Sequence, residues 1–508
     1  VTRASSARAL FALGVALGGV LACERTARAA EGEITADTTA QFYDVRSPSG
    51  QNVLLRRRVT STLGVTVYDL LPRPKEAGQE LLPDLTFRAR LRYDADYGAF
   101  GSEADPNAVD SYTPGFSRGP VDLMYAYVEG RRFLKGLLGF KLGRQYAVDS
   151  LGWWAFDGGL VRLTTPAYFA VEAYGGLEVR GGLPLSGPAG RWERDGVWRG
   201  DRDGFQQNAY PSFQQAAIAP AVGAAIESAG VSWLHGRLSY RRVWNTGEST
   251  LTQFDSGVRT PLVYDGTRIS QERLGWSVMA DWDKVGSLSG GLVYDLYSAF
   301  FSSVYASAEV RPTKRLTLGA DYDYFRPTFD ADSIWNFLGA QPMNDVTLRA
   351  RVEPTPRLSV GGGGHFRVFS ADGTPAPTVS SPIAGTPLPG SGASFAGGAN
   401  VSLRYARWSS AVSVRALADF GDAGDRWGAD VMGERSLGRV VLRARLGFWH
   451  WSDALRPERS ADSIGTVLGI AYRFFHGSEI GSEIEGDANR LVGARFRWLA
   501  YLSLVVAR

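Results

Sequence analysis

The stretch Val346–Phe369, VTLRARVEPTPRLSVGGGGHFRVF, constrains the fold of this chain more than any other. Val346, Leu348, Ala350 and Val352 alternate with Thr347, Arg349, Arg351 and Glu353. A β-strand sends successive side chains to opposite faces, so this segment has one greasy face and one charged face. Pro354 and Pro356 lack N–H donors and suit a turn. Leu358, Val360, Phe366 and Val368 then share one face, while Ser359, His365 and Arg367 take the other. The same unit recurs from about residue 40 onward. A chain built from amphipathic hairpins turns its greasy faces either to a protein core or to lipid.

Three features choose lipid. First, Leu85–Tyr97 carries Arg88, Arg90 and Arg92 on one face, opposite Phe87, Ala89 and Leu91. Three arginines in successive same-face positions are costly in a soluble core and natural on a wetted wall. Second, short connections (Arg131–Gly136, Ser228–Gly230, Arg311–Lys314, Pro354–Pro356, Ala406–Trp408, Ser436–Arg439) alternate with long ones at 181–212, 246–268, 326–343 and 370–394. Outer-membrane barrels have short periplasmic turns and long outer loops. Third, Tyr322, Tyr324, Tyr405, Phe448 and Trp498 sit near strand ends, where interfacial aromatic girdles belong. No fixed-period repeat, αβ alternation or internal linker divides the chain. The expected fold is all-β: a single antiparallel transmembrane barrel of about 18 strands, with a range of 16–20, on the template of ~10-residue alternating segments.

The N-terminal segment reads as an address. Arg3 and Arg8 precede the apolar run Ala9–Ala22, and the small-residue stretch Ala27-Arg28-Ala29-Ala30 follows. This is the layout of a secretory signal peptide. The expected division is residues 1–29 as signal peptide and 30–508 as barrel. Val20-Leu21-Ala22-Cys23 also resembles a lipobox, which would make Cys23 a lipidated first residue.

One pair of segments carries a family likeness. Leu142-Gly143-Arg144-Gln145 ends a strand, and Trp153-Trp154-Ala155-Phe156-Asp157-Gly158 follows. The arrangement resembles bacterial outer-membrane porins and, within them, the alginate-export family, in which a strand ending Gly-Arg-Gln precedes an aromatic loop and a Phe-Asp-Gly strand start. The gap here is shorter, and the acidic pattern between the segments is missing. The resemblance spans about residues 120–180 and implies a barrel. The hairpin motif residues are Gly143, Arg144, Gln145, Phe156, Asp157 and Gly158. Arg144 and Asp157 suit either solute contact or an ion pair that pins a hairpin end.

The charged faces supply the candidate site. Pore-lining candidates are Arg88, Arg90, Arg92, Arg349, Arg351, Arg404, Arg415, Arg443, Arg445, Arg495 and Arg497. Guanidinium stays charged at working pH and binds carboxylate or phosphate through a planar fork. A wall of one sign concentrates the opposite ion. Asp94, Glu172, Asp295, Asp321, Asp323, Asp419 and Asp430 share the inward register, so internal salt bridges are the competing use of these arginines. The 181–212 loop is either a lumenal constriction or a solvated outer loop.

The four histidines, His235, His365, His450 and His476, show no metal-ligand spacing and no adjoining nucleophile motif. The expectation is therefore no enzyme, no metal and no cofactor. The net charge of +3 on 508 residues gives no reason to expect nucleic acid as a partner. Expected partners are outer-membrane lipid, the barrel assembly machinery and small solutes. The function that follows is an outer-membrane channel for passive diffusion of small solutes, with anions the candidate class; the alternative is a structural or adhesive barrel with a filled lumen.

Overall fold

The computed structural model describes residues 31–71, 82–96, 99–100, 121–179, 219–246, 249–255, 258–264, 266–328, 342–370, 394–422, 424–454, 456–475 and 477–507. The signal-peptide assignment to 1–29, Cys23, His476 and the 181–212 loop lie outside these residues.

The first strands are β1 (Gly32–Arg46), β2 (Asn52–Val67), β3 (Asp84–Asp96), β4 (Ala99–Phe100), β5 (Val121–Phe133), β6 (Leu138–Asp149), β7 (Gly152–Thr164) and β8 (Phe169–Glu178). Next come β9 (Pro220–Ser228), β10 (Leu234–Asn245), β11 (Ser249–Asp255), β12 (Val258–Tyr264), β13 (Arg268–Trp282), β14 (Gly286–Asp295), β15 (Phe300–Thr313) and β16 (Leu316–Phe325). Then follow β17 (Met343–Thr355), β18 (Leu358–Phe369), β19 (Ser394–Arg407), β20 (Ser410–Gly421), β21 (Arg426–Leu437), β22 (Val440–Trp451), β23 (Ala461–Phe475), β24 (Ser478–Asn489) and β25 (Gly493–Ala507). β4 continues the line of β3 along β2, and β11–β12 form a hairpin of their own. The remaining 22 strands make one antiparallel wall, each beside its sequence neighbour. The wall closes where β25 pairs with β1, from Glu33↔Ala507 to Arg46↔Ala494.

The barrel expected from the sequence is present, but its 22 strands exceed the expected 16–20. β24 is one cause. Its outward positions include Ile480 and Ile484, but Ser482, Gly486 and Ala488 intervene, and four acids fill its other face. Too little apolar signal remains for it to announce itself. β7 is legible from alternation only as the short segment Val161–Thr164, although it begins at Gly152.

Register across the wall separates two surfaces. Ala306, Tyr322, Val346, Phe366, Gly397 and Phe420 are successive partners on six strands. One residue away runs Ser307, Asp321, Thr347, His365, Gly398, Asp419 and Arg426. The first row belongs to a surface of exposed large hydrophobics that includes Leu348, Val401, Leu446, Leu468 and Ile484. So extensive an apolar surface is stable only against lipid. Closure removes the unpaired strand edges that lipid cannot satisfy. Exposed aromatics ring both ends, with Phe366, Phe420, Trp427 and Trp498 toward the long loops and Tyr168, Tyr405, Trp408 and Tyr472 toward the short turns. No helix among the described residues is long and apolar enough to cross a membrane; this chain crosses with strands.

Two of the short turns share a device. Pro354 ends inside β17, at a register break between Val352 and Thr355, so the turn is Pro356-Arg357 alone. Thr355 Oγ1 accepts from the N–H groups of Arg357 and Leu358 at 3.3 and 3.2 Å. Pro312-Thr313-Lys314-Arg315-Leu316 repeats the arrangement, with Thr313 Oγ1 accepting from Arg315 and Leu316. The threonine satisfies donors that a two-residue turn leaves outside the ladder.

Candidate functional site

The inner face is built from the polar half of each strand. Its center is a hairpin that leaves the wall. The β5–β6 ladder ends at Ala126↔Arg144, although β6 continues to Asp149. Beyond that point β6 and β7 stay paired to each other as far as Asp149↔Gly152. Their tip, Ser150-Leu151, lies against β10 and β13: the Leu151 carbonyl accepts from Arg241 Nη2 at 3.0 Å, and a Cβ at Gly275 would meet Ser150 Oγ and Leu151 Cδ2. Arg241 and Gly275 belong to the inner face. The outer half of this hairpin therefore folds into the lumen and covers the wall from β8 to β13.

Glycines allow the bend. Gly143 pairs with Gly158, and Gly158 with Gly176, in a line across β6, β7 and β8. Gly143 has φ +124°, a conformation side-chain-bearing residues rarely adopt. A Cβ on Gly158 would come within 2.1 Å of the Gly175 carbonyl oxygen. Beside this line, Arg144 grips Asp157 with two bonds of 2.7 Å, Nε to Oδ1 and Nη2 to Oδ2. Its third nitrogen, Nη1, donates to the Leu123 carbonyl at 3.2 Å, where the β5–β6 ladder has stopped. Gln145 Nε2 donates to the Gly158 carbonyl at 3.1 Å.

Between hairpin and wall lies a cluster of buried apolar side chains: Trp154, Phe156, Leu160, Tyr174, Ala221 and Val243 among them. Phe156 is 0% exposed and stacks on Trp154 at 4.3 Å and 17°. Tyr174 packs on both, and the Arg241 guanidinium sits over Trp154 at 5.2 Å. Full burial of a phenylalanine contributes about 1.5–3 kcal/mol. Trp154 Nε1 donates to Glu178 Oε1 at 3.1 Å, which fixes the indole. The hairpin is thus packed down. Its other surface presents Tyr146, Val148 and Trp153, all exposed, and Tyr146 meets Tyr125 at 5.6 Å.

The eleven candidate arginines all lie on the inner face, and most are paired. Arg349 bonds Asp321 at 2.8 and 3.1 Å, and Arg351 meets Glu353 at 2.7 Å. Arg415 and Arg445 share Asp430, at 2.7 and 3.3 Å. Arg443 bonds Glu434 and the Tyr501 hydroxyl. Arg495 bonds Asp487 at 2.6 Å, and Arg495 and Arg497 both pair with Glu485. Arg90 bonds Asp37 and Thr62, each at 2.7 Å. Arg92 stands opposite Thr62. Arg88 and Arg404 have no ion pair among the described residues. Arginines outside the eleven candidates join this system, among them Arg367 on Asp345, Arg426 on Asp419, and Arg237 between Glu172 and Glu227. Of these, alternation had placed Arg367 on the charged face of its strand.

The pairs are not symmetric toward the lumen. Side-chain exposure is 54% for Arg415 against 9% for Asp430, 56% for Arg426 against 23% for Asp419, and 42% for Arg495 against 11% for Glu485. The short carboxylate lies at the wall and the long guanidinium reaches past it. Arg443–Glu434 and Arg90–Asp37 run the other way.

Among the described residues no group of three or more His, Cys, Asp or Glu side chains could hold a metal ion. His450 Nδ1 lies 2.7 Å from Asp462 Oδ1, and His365 Nε2 lies 3.5 Å from Asp419.

The fold and its two surfaces define a transmembrane β-barrel of the outer-membrane type with a polar, charge-lined interior. No protein-family model matches the sequence, and comparison with curated proteins gives no match. Solved structures similar to this chain include Acinetobacter baumannii OccAB4, at 7% identity and a TM-score of 0.43, covering 96% of this chain and 100% of that one. Pseudomonas aeruginosa OpdK with vanillate is similar at 8% identity and a TM-score of 0.42, covering 94% and 99%. Pseudomonas aeruginosa OpdQ is similar at 8% identity and a TM-score of 0.40, also covering 94% and 99%.

Proposed function

We propose that this barrel is an outer-membrane channel for the passive diffusion of small solutes and that it favors anions. The observation that carries the anion preference is the asymmetry of the inner-wall pairs. Carboxylate and guanidinium are nearly balanced in number, so net charge would give no preference. Position gives one: in pairs such as Arg415–Asp430 and Arg426–Asp419, the group that reaches a passing solute is the cation. A paired guanidinium keeps donors on its remaining nitrogens, and these bind carboxylate or phosphate oxygens. The inturned β6–β7 hairpin narrows the route and sets a size limit. Insertion of a closed barrel by the barrel assembly machinery belongs to the same proposal. The alginate-export likeness rests on the residues of the inturned hairpin, and its cargo forms no part of the proposed solute class.

The test is conductance of the refolded protein in a planar bilayer, with the reversal potential measured under a KCl gradient. Open steps with the sign of chloride preference support the proposal, and Arg349→Ala with Arg351→Ala should reduce that preference. Stable steps with cation preference would overturn the anion claim alone. A folded barrel that passes no current would overturn the channel itself and favor a structural barrel filled by its hairpin.

A further inference from the structure

Toward the long-loop mouth, across the seam where β22–β25 meet β1, the inner wall holds a cavity of about 520 Å³. Its lining includes Tyr43, Trp449, Arg445, Glu485, Asp487 and Asn489. From its geometry we infer that it is a binding subsite for a sugar ring, at the entrance to the barrel.

The aromatic groups come first. The Trp449 ring uses the space left by two glycines: a Cβ at Gly428 would come within 2.6 Å of its Cε3, and one at Gly447 within 3.5 Å of its Nε1. The cavity is lined by this ring. Tyr43 stands across the cavity, and its hydroxyl accepts from Arg495 Nη1 at 3.3 Å. Glycine also makes room on the opposite side, since a Cβ at Gly465 would meet Asp487 Oδ1 at 2.3 Å.

The polar groups then decide the ligand class. Among the described residues the Trp449 indole N–H has no hydrogen-bond partner, and Arg445 uses only Nη2, toward Asp430. The Tyr43 hydroxyl keeps its own hydrogen to donate. Beside these donors stand the carboxylates Glu485 and Asp487, held by Arg495 and Arg497. An anion brings acceptors alone, whereas this wall presents carboxylate oxygens that accept as well as groups that donate. A purely apolar ligand would leave the indole, guanidinium and phenol donors unmet, at a cost. Sugar hydroxyls both donate and accept, and the C–H face of a pyranose packs on an aromatic ring. The mixed wall suits that chemistry, and the volume lies within the range of small-molecule sites. The subsite does not depend on the anion preference, and equilibrium binding tests it whether or not ions pass.

The experiment is saturation-transfer NMR on the refolded full chain in detergent, with methyl glucopyranoside and benzoate as separate probes. Transfer to the ring C–H protons of the glucoside is expected. Trp449→Ala should weaken it about tenfold, equivalent to 1.4 kcal/mol, while Trp449→Phe, which keeps a flat ring, should retain most of it. Heat-modifiable gel mobility shows whether each variant is folded, and Arg445→Gln supplies an independent loss if Trp449→Ala misfolds. No transfer to the glucoside, equal transfer in both Trp449 variants, or transfer to benzoate alone would overturn the assignment. Bilayer conductance run in parallel separates this failure from failure of the channel.

Discussion

Arg144 and Asp157 face each other across the β6–β7 ladder, joined by two bonds of 2.7 Å, one residue from the paired glycines Gly143 and Gly158. The ion pair therefore sits at the bend where the hairpin leaves the wall. Because Arg144 also donates to the Leu123 carbonyl, it ties the departing hairpin to the strand it has left. Arg144→Ala should release the hairpin without preventing closure of the barrel. Hydrogen bonds to charged groups are worth roughly 1.5–3 kcal/mol, and half-exposed Asp157 places the loss at the low end of that range. Larger or noisier single-channel steps are expected, with a modestly lower urea midpoint. Steps of unchanged size and noise would show that the pair does not hold the constriction.

The glycine line makes a sharper prediction. Gly158→Ala puts a methyl group 2.1 Å from the Gly175 oxygen, and Gly176→Ala puts one 2.2 Å from the Asp157 oxygen. Both contacts are with backbone, which cannot swing aside. Each variant should yield less heat-modifiable barrel on refolding or a barrel with its hairpin displaced. Gly433→Ala is the control, because a Cβ there meets nothing within 4 Å. Equal refolding of all three variants would mean that the bend tolerates side chains.

The two surfaces of β17 should respond oppositely to one charge. Leu348 lies on the lipid face, so Leu348→Arg should cost about 2–4 kcal/mol if its depth is near the bilayer midplane. Thr347 points inward. Thr347→Arg should leave stability nearly unchanged and alter conductance. Urea titration in lipid vesicles checks the first, and single-channel recording the second.

Asp430 serves two arginines, Arg415 and Arg445. Asp430→Asn removes a nearly buried carboxylate and leaves both guanidiniums facing the lumen. Reversal potential should move further toward chloride while stability falls. Movement toward potassium would contradict the asymmetry on which the anion preference rests.

Alternation exposed much of this fold. Val346–Val352 shows its two faces residue by residue, and the barrel follows once each greasy face needs lipid. Other parts leave no local trace. β24 spends its inner face on Glu479, Glu483, Glu485 and Asp487 and keeps few outward apolar groups. The inturned hairpin depends on contacts such as Leu151 with Arg241, 90 residues apart. Gly143, Gly158 and Gly176 become a bend only when register aligns them. Periodicity could place Arg415 and Asp430 on a charged face. It could not say which of the two would lie against the wall.

The seam between β1 and β25 has a consequence for how the molecule is made. Asp37 accepts from Ser503, 466 residues away along the chain, and the ladder beside them carries equally distant pairs. Every other neighboring pair of wall strands can form as soon as its second strand exists. This one must wait for β25. Until then β1 offers an open row of donors and acceptors to any strand that comes near, including one from another molecule. Loop-closure entropy makes so distant a pairing slow to find. The first strand is thus the part of the chain most in need of a chaperone, and the last strand is the latch that ends that need.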